Sequence, residues 1–145
     1  MVNMKFNVKT FSELSTDELY EILKSRAQIF LLEQGIVCQD LDDKDRESLH
    51  CFFTHENRVF AYLRAFRSGD AVLIGRVLTL EHRAGLGSEL MHKSIEEIKK
   101  HFGVSKMCVH AQKQAVGFYE KMGFVTVSDE YLEAGVVHVN MEKFV

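Results

Sequence analysis

Two glycines, Gly85 and Gly87, stand between a segment that reads as a strand, GRVLTL, and a segment with helical periodicity. The first amides of a helix have no partner within the helix, and they carry the positive end of its dipole. Residues without side chains would let a phosphate group approach those amides. The sequence leaves two interpretations open here: a phosphate-binding loop, or a glycine-rich turn without a ligand.

Two common phosphate-binding patterns fit this loop poorly. The Walker loop requires GxxxxGK[ST], and the chain contains no Gly-Lys pair. The dinucleotide fingerprint requires a third glycine where Leu90 stands and an acidic residue after the next strand, which ends instead in VHAQ. A NAD-dependent oxidoreductase is therefore disfavoured, and coenzyme A is the third candidate ligand.

A second stretch supports coenzyme A. The segment QAVGFYEKMGF has the pattern A-x-x-F-Y-x-x-x-G-F, formed by Ala115, Phe118, Tyr119, Gly123 and Phe124. Together with the loop HRAGLG, it resembles the GNAT superfamily of N-acetyltransferases, whose loop is usually Q/R-x-x-G-x-G/A. The chain departs from that loop pattern at His82, where arginine or glutamine is usual, and has Arg83 one place later.

The resemblance extends over nearly the whole chain and is greatest to the ElaA-like branch of that superfamily. The segments LKSRAQIFLLEQGIVCQDLDDKD, HAQKQAVGFYEKMGF and YLEAGVVHVNM carry it. Matching positions include Arg26, Phe30, Glu33, Gln34, Gln39, Asp40, Asp42, His50, Arg76, Gln112, Gly135, His138 and Met141. The chain lacks the Pro-Tyr pair of that branch and is slightly shorter between Arg76 and the glycines.

This resemblance implies a fold and an activity. The fold is α/β of the mixed α+β kind, with a mostly antiparallel sheet splayed at the cofactor strand and helices on both faces, in one domain over residues 1–145. The activity is direct transfer of an acetyl group from the co-substrate acetyl-CoA to a primary amine of a small molecule or a peptide. The implied cofactor-binding residues are Val77, Leu78, Thr79, His82, Arg83, Ala84, Gly85, Leu86, Gly87, Ser88, Gln112, Ala115 and Phe118. The alternative is a non-catalytic acyl-CoA binding or sensor module.

Tyr119 is the expected catalytic residue, because a phenol can protonate the thiolate that leaves coenzyme A. The other interpretation is an aromatic residue that uses its hydroxyl only as a polar handle. The amine must be neutral to attack. Candidate bases are Glu33, Asp40, His50 and His110, with no choice among them, and bulk water could also take the proton before binding.

The acidic stretch QDLDDKD has two interpretations. It either lines the acceptor cleft and attracts a cationic amine, or it is a solvated loop. Arg26, Arg64 and Arg76 are candidates to hold a carboxylate or the cofactor, and the sequence does not choose between these roles.

Hydrophobic periodicity predicts the elements that must position these residues. A capping box of Ser15 with Glu18 starts a first helix, STDELYEILKSRAQIFLLEQG. Three strands follow, with turns at HENR and SGD, and then a helix from Ser88 to His101 with exposed pairs Glu89–Lys93 and Glu96–Lys100. The strand SKMCVHA, the helix QAVGFYEKMG closed by Gly123, and the strands FVTVS and GVVHVNME complete the order.

Composition excludes several classes of protein. The chain has 145 residues, 46% of them hydrophobic and 27% charged, which suits one globular domain. A net charge of -3 without basic runs argues against nucleic acid, and no apolar run suits a membrane span or a signal peptide.

Cys38, Cys51 and Cys108 indicate a reduced, cytoplasmic protein. His50, His110 and His138 come from separate segments, so no metal is expected, and the protein is expected to be a monomer or a homodimer.

Overall fold

Eight strands form one mixed sheet in the part of the chain that the structure describes. The structure is a computed structural model, and it describes residues 3–81 and 85–145. The strands are β1 (Lys5–Thr10), β2 (Leu49–His55), β3 (Arg58–Ser68), β4 (Ala71–Thr79), β5 (Lys106–Gln112), β6 (Val125–Thr126), β7 (Tyr131–Glu133) and β8 (Val136–Phe144). Their order is β1-β2-β3-β4-β5-β8-β6, with β7 also on β8. Only β4 and β5 pair in parallel.

The first helix begins where its capping box predicts. The backbone N–H of Glu18 donates to the Ser15 hydroxyl at 3.0 Å, and the backbone N–H of Ser15 donates to the Glu18 carboxylate at 2.8 Å. Helix α1 spans Thr16–Arg26 and continues as a π-helical segment over Ala27–Glu33. Periodicity did not predict this change of winding, and Phe30 of the π-helical segment packs, partly buried, against Ile29 and its neighbours.

The helical spacing of Leu90, Met91, Ile95, Ile98 and Phe102 predicts a buried stripe on the second helix. Helix α2 spans Leu86–Phe102 and buries the first four of these residues, whereas Phe102 is only partly buried. The Glu89–Lys93 pair is confirmed, with its charged atoms 3.7 Å apart. The predicted Glu96–Lys100 pair is wrong, because the Lys100 ammonium lies 3.8 Å from Glu97 instead. Residues three and four apart are both neighbours on a helix surface, so the sequence alone did not separate these partners.

Helices cover both faces of the sheet, as expected. On one face, α2 and the short helix α3 (Val116–Lys121) enclose the larger core, which includes Leu63, Ile74 and Val109. On the other face, Ile22 and Ile29 pack against β2, β3 and β4 in a smaller core. Helix α3 ends at Met122, and Gly123 with φ +92° confirms the predicted left-handed cap.

The sequence analysis missed two strands and overestimated a third. Strand β1 is an edge strand of six residues that pairs with β2, and β7 has only three residues. The predicted strand FVTVS is reduced to the two residues of β6. Strands as short as β6 and β7 depend on their neighbours rather than on their own sequence, so periodicity indicates them weakly. No helix of the described residues has the length and apolar character that a membrane crossing needs.

Strands β4 and β5 separate after a short stretch of pairing. Only Val72–Ile74 pairs with β5, at Met107–Val109, although β4 runs on to Thr79 and β5 to Gln112. On its other side, β4 has a register shift against β3 next to Arg76, whose φ is +54°. A bulge bends its strand and increases the local twist. The splay predicted at Val77–Thr79 is thereby confirmed.

The capping box generates a prediction about stability. Replacing Ser15 with alanine removes the side-chain acceptor at the start of α1, and we expect it to lower the free energy of unfolding by about 1 kcal/mol. Urea denaturation measures this difference. Ser105→Ala, at an exposed serine outside the helices, is the control and should change stability far less. Equal stability of the two variants would contradict the role assigned to the cap.

Candidate functional site

A cavity of about 540 Å³ lies where β4 and β5 separate. Gly75, Arg76 and Val77 of β4 form one side, and His110 and Gln112 of β5 form the other. Further walls come from the end of the first helix, the loop after it, and the hairpin of β7 and β8. The cavity therefore occupies the opening that the sheet itself provides.

Tyr119 shows that the cavity reaches through the sheet. Its helix, α3, lies with α2 in the larger core, yet Tyr119 lines the cavity together with Phe66 and His110. His110 belongs to the opposite face, because its strand neighbours Val109 and Ala111 point into the α2 side. A molecule in the cavity can therefore touch side chains from both faces of the sheet.

The Tyr119 side chain is held in a narrow range of positions. Only 8% of the residue is exposed, and its ring contacts Phe118 and Phe124 edge to face, with centroids 5.2 and 5.7 Å away. Burial raises the pKa of the Tyr119 phenol above its usual value. The hydroxyl therefore keeps its proton at neutral pH, which is the state that a proton donor needs.

The glycines lie at the start of α2. Gly85 is the N-cap with φ +86°, a conformation that favours glycine, and its carbonyl accepts from the Glu89 N–H at 2.9 Å. A Cβ on Gly87 would lie 3.5 Å from the Phe118 ring and 3.9 Å from Thr79. These predicted cofactor positions are thus neighbours in space. His82, Arg83 and Ala84, which the sequence analysis also named, lie outside the described residues.

The other predicted cofactor positions lie around the same opening. Val77, Gln112 and Ala115 line the cavity, whereas Leu78 lies in the smaller core. The Gln112 amide donates to the Gln34 side-chain oxygen at 3.0 Å, which joins β5 to the segment after the first helix. Leu78 can therefore contribute only its backbone to a ligand in the cavity.

The structure separates the four candidate bases. Asp40 and His110 line the cavity. Glu33 is exposed at the end of the π-helical segment and is not part of the cavity wall.

The choice of His50 is corrected. His50 is fully buried outside the cavity wall, with Nδ1 2.7 Å from the Tyr62 hydroxyl and Nε2 2.9 Å from the Asp45 carbonyl. Burial is the largest of the influences on the His50 pKa and lowers it. Both ring nitrogens already have partners, so His50 cannot receive a proton from a molecule in the cavity.

The acidic stretch does something that neither interpretation predicted. Asp40, Asp42 and Asp45 form a buried-to-surface ion-pair cluster with Arg26, Arg64 and Arg76. Arg26 lies at its centre with a fully buried side chain, 3.0 Å from Asp40 and 2.6 Å from Asp45. Of the two roles considered for the arginines, binding a carboxylate is the one observed, and the carboxylates belong to this chain.

This cluster joins the end of α1 and the loop with the aspartates to the bulge in β4. Arg76, whose left-handed conformation marks the bulge, donates through Nε to Asp40 at 2.8 Å. Arg64 of β3 donates to Asp42 at 2.7 Å and to Asp45 at 3.0 Å. Hydrogen bonding by Arg64 lowers the pKa of Asp42 well below its usual value. The cluster thereby fixes one wall of the cavity.

The sequence analysis missed Glu133, which lies on the opposite wall. Its carboxylate oxygens are 3.5 Å from Nδ1 of His110 and 3.7 Å from Nε2 of His138. Glu133 ends β7, and Ala134 and Gly135, both with positive φ, form the two-residue turn into β8. The Ala-Gly pair before β8 was the sequence signal for a hairpin turn here, but the strand before it, β7, was not predicted. Metal-site geometry does not occur among the described His, Cys, Asp and Glu side chains.

Comparison with known proteins assigns the chain to a family. The family model for the acetyltransferase (GNAT) domain matches residues 36–145. The chain belongs to the GNAT acetyltransferase family. Protein ElaA of Escherichia coli K12 is 33% identical over 91% of each chain, which confirms the ElaA-like resemblance.

Solved structures agree with this GNAT assignment. The crystal structure of Escherichia coli ElaA is 30% identical, covers 97% of this chain and 99% of its own, and superposes with a TM-score of 0.89. An acyl-CoA N-acyltransferase from Pseudomonas aeruginosa is 27% identical, with the same coverage and a TM-score of 0.91. The mixed, open sheet predicted for the chain is therefore the GNAT sheet.

The ion-pair cluster predicts a pH-dependent stability. Burial alone would raise the pKa of Asp45, but hydrogen bonds and charges of Arg26 and Arg64 outweigh it and lower the pKa. Ionised Asp45 therefore stabilises the fold above the unfolded aspartate pKa of about 3.9, and this stabilisation is lost as the pH falls through the folded-state value. We expect Asp45→Asn to lower the free energy of unfolding at neutral pH by about 1.5–3 kcal/mol.

Denaturant unfolding at several pH values checks this prediction. The difference between wild type and Asp45→Asn should shrink as the pH falls below about 4. The control is Asp129→Asn, at an exposed loop aspartate. A difference for Asp45→Asn that stays constant down to the lowest pH would contradict the assigned role.

Proposed function

We propose that this protein is an N-acetyltransferase that moves an acetyl group from acetyl-CoA to a primary amine of a small molecule or a peptide. Both substrates are bound together, and the amine attacks the thioester directly. The supporting observation is that Tyr119 and the separated β4 and β5 strands meet in one cavity of a GNAT chain. A cytoplasmic protein of one domain over residues 1–145, monomeric or homodimeric, is part of this proposal.

The residues around the opening fit coenzyme A. The amides of Leu86, Gly87 and Ser88 start α2 without a side-chain cap, so they suit a pyrophosphate. The edge of β4 over Val77–Thr79 has no strand partner on the β5 side, so its backbone groups suit the amides of a pantetheine arm. Gln112, Ala115 and Phe118 border the same space, and His82, Arg83 and Ala84 complete the proposed loop.

The chemistry needs few protein groups, because holding two reactants together can supply roughly 7–11 kcal/mol of the barrier. The amine nitrogen forms a bond to the thioester carbonyl carbon, and the carbon–sulfur bond breaks. Tyr119 gives its proton to the departing sulfur, and the proton that the nitrogen sheds after attack restores the phenol. Free coenzyme A and an N-acetylated amine are the products.

A protonated amine must first lose one proton. Asp40 is a weak candidate to take it, because Arg26 and Arg76 already contact its carboxylate at 3.0 and 2.8 Å. His110 is the better supported base, since it lines the cavity and its ring faces Glu133. From His110 the proton can pass to solvent, because the His110 side chain is 41% exposed.

Tyr119→Phe tests the catalytic assignment. The variant keeps the ring contacts but loses the proton donor, and we expect kcat to fall by roughly 100-fold. Release of free thiol from acetyl-CoA with a panel of amines measures kcat, and titration calorimetry should give an unchanged acetyl-CoA affinity. Tyr20→Phe, at an exposed tyrosine of α1, is the control.

Two results would count against the proposal. Unchanged turnover of Tyr119→Phe would remove the catalytic role of Tyr119. Wild-type protein that binds acetyl-CoA but acetylates none of the amines would favour the non-catalytic acyl-CoA binding module instead.

Gly87→Glu tests the cofactor loop. A negatively charged side chain next to the first amides of α2 should repel the pyrophosphate, and we expect acetyl-CoA affinity to fall by at least about 100-fold. Gly87→Ala is the matched control, because its Cβ makes only ordinary contacts with Phe118 and Thr79. Calorimetry gives the affinities and thermal unfolding checks the fold. Tight binding by a folded Gly87→Glu protein would exclude this loop as the cofactor site.

A further inference from the structure

The strands β5, β8 and β7 share a polar face, and His110, Gln112, Glu133 and His138 of this face line the cavity. In β5 and β8, Val109, Ala111, Val139 and Met141 point into the larger core. The alternate residues of these strands, His110, Gln112, His138 and Asn140, therefore point to the other face. Tyr131 pairs with His138 across β7 and β8, and Glu133 lies two residues further along β7, so both share that face.

Glu133 is held at the centre of this face by the fold around it. The Tyr131 ring stacks on His138 with centroids 6.0 Å apart, and its hydroxyl donates to Asn140 at 2.5 Å. The turn after Glu133 places Ala134 in the left-handed region at φ +50°, which is costly for a residue with a Cβ. Ala134 also lines the cavity. Glu133 and the turn residue after it thus line the same cavity side by side.

The charges of the two walls differ. Arg64 and Arg76 are the only guanidinium or ammonium groups among the described residues that line the cavity, and both contact the aspartates of the ion-pair cluster. With Arg26, the cluster holds three arginines and three aspartates, so its formal charges cancel. The Arg64 Nε, which has no hydrogen-bond partner, is buried and cannot reach a ligand. Among the described residues, the arginines of the cavity wall are therefore already paired with carboxylates of this chain.

Glu133, in contrast, lies next to two imidazoles in the part of the chain that the structure describes. Its contacts in the cavity wall are His110 and His138, which carry no charge in their neutral forms. Half of its side chain is exposed, so a ligand can reach it. A carboxylate without a guanidinium or ammonium partner in a partly enclosed cavity attracts a cation.

We propose that the Glu133 carboxylate binds the protonated amino group of the acceptor, and that the acceptor is an amine without a carboxylate beside that group. This inference rests on the proposed acetyltransferase function. The bound ammonium transfers one proton to His110, and the neutral nitrogen then attacks the thioester. Amines that lack a carboxylate fit this arrangement, whereas an α-amino acid would place its carboxylate beside Glu133 or beside described arginines that already bind aspartates.

Matched acceptors and a conservative variant test this inference. Tyramine is compared with tyrosine and phenethylamine with phenylalanine, by thiol release from acetyl-CoA and by calorimetric titration of the coenzyme A-loaded protein. We expect each amine to exceed its amino acid by at least about tenfold in kcat/KM and in affinity. Glu133→Gln should weaken amine binding by about 10- to 100-fold, mostly through KM, because it removes a charge-assisted interaction.

A neutral acceptor separates charge recognition from a merely structural role. Ethylamine is protonated near neutral pH, whereas 2,2,2-trifluoroethylamine is mostly neutral, so Glu133→Gln should impair acetylation of the first far more than of the second. Glu130→Gln, at an exposed glutamate outside the cavity wall, is the matched control and should behave as wild type. Acetyl-CoA affinity and thermal unfolding should be unchanged in both variants.

The outcomes distinguish this inference from the proposed function. Preference for tyrosine or phenylalanine, or a Glu133→Gln variant that binds and acetylates amines as wild type does, would overturn the inference while the acetyltransferase function stands. Glu133-dependent binding of amines without any acetyl transfer would support the binding site and overturn the proposed function. Equal impairment of Glu133→Gln with charged and neutral acceptors would assign Glu133 a structural role only.

Discussion

The site depends on how briefly β4 and β5 pair. Three residues of each strand are joined in parallel, and beyond Ile74 and Val109 the two strands no longer form a ladder. An unpaired strand edge inside a protein leaves backbone donors and acceptors that need partners. A ligand with amide groups along its length can supply them, which is why the same opening that weakens the sheet also forms the cavity. The side chains of α3 reach the cavity only because the sheet is open there.

The ion-pair cluster joins the loop with the aspartates to the bulge beside this opening. Arg76 belongs to the bulge that bends β4, and Asp40 holds Arg76 and Arg26 at once. Removing charges from water is costly, so a buried arginine such as Arg26 is stable only when its partners are in place. The loop that carries the aspartates is therefore bound to the sheet at the point where the sheet bends. The aspartates of this loop pair with arginines of the same chain, so the formal charges of the wall that they form cancel.

The opposite wall is built differently. A strained two-residue turn and the short strand β7 bring Glu133 between His110 and His138. The formal charges of one wall cancel, whereas the other wall bears a carboxylate between two imidazoles. The two sides of the cavity therefore differ in charge. In the proposed reaction this difference in charge positions the acceptor, while Tyr119 and the β4 edge serve the donor.

The sequence alone determined the features that depend on local pattern: the capping box at Ser15, the buried stripe of α2, the glycine turn before it, and the aromatic segment around Tyr119. The glycine loop and the aromatic segment also carried the resemblance to the GNAT family, and that resemblance implied the splayed sheet. Only the tertiary structure decided where the charged and titratable side chains lie and which partners they have. It placed His50 in the interior, matched Asp40, Asp42 and Asp45 with three arginines, and brought Glu133 to the cavity through a strand too short to show periodicity. Local propensity is set within a few residues of the chain, whereas the partner of a charged group is set by contacts between distant segments, which no periodicity records.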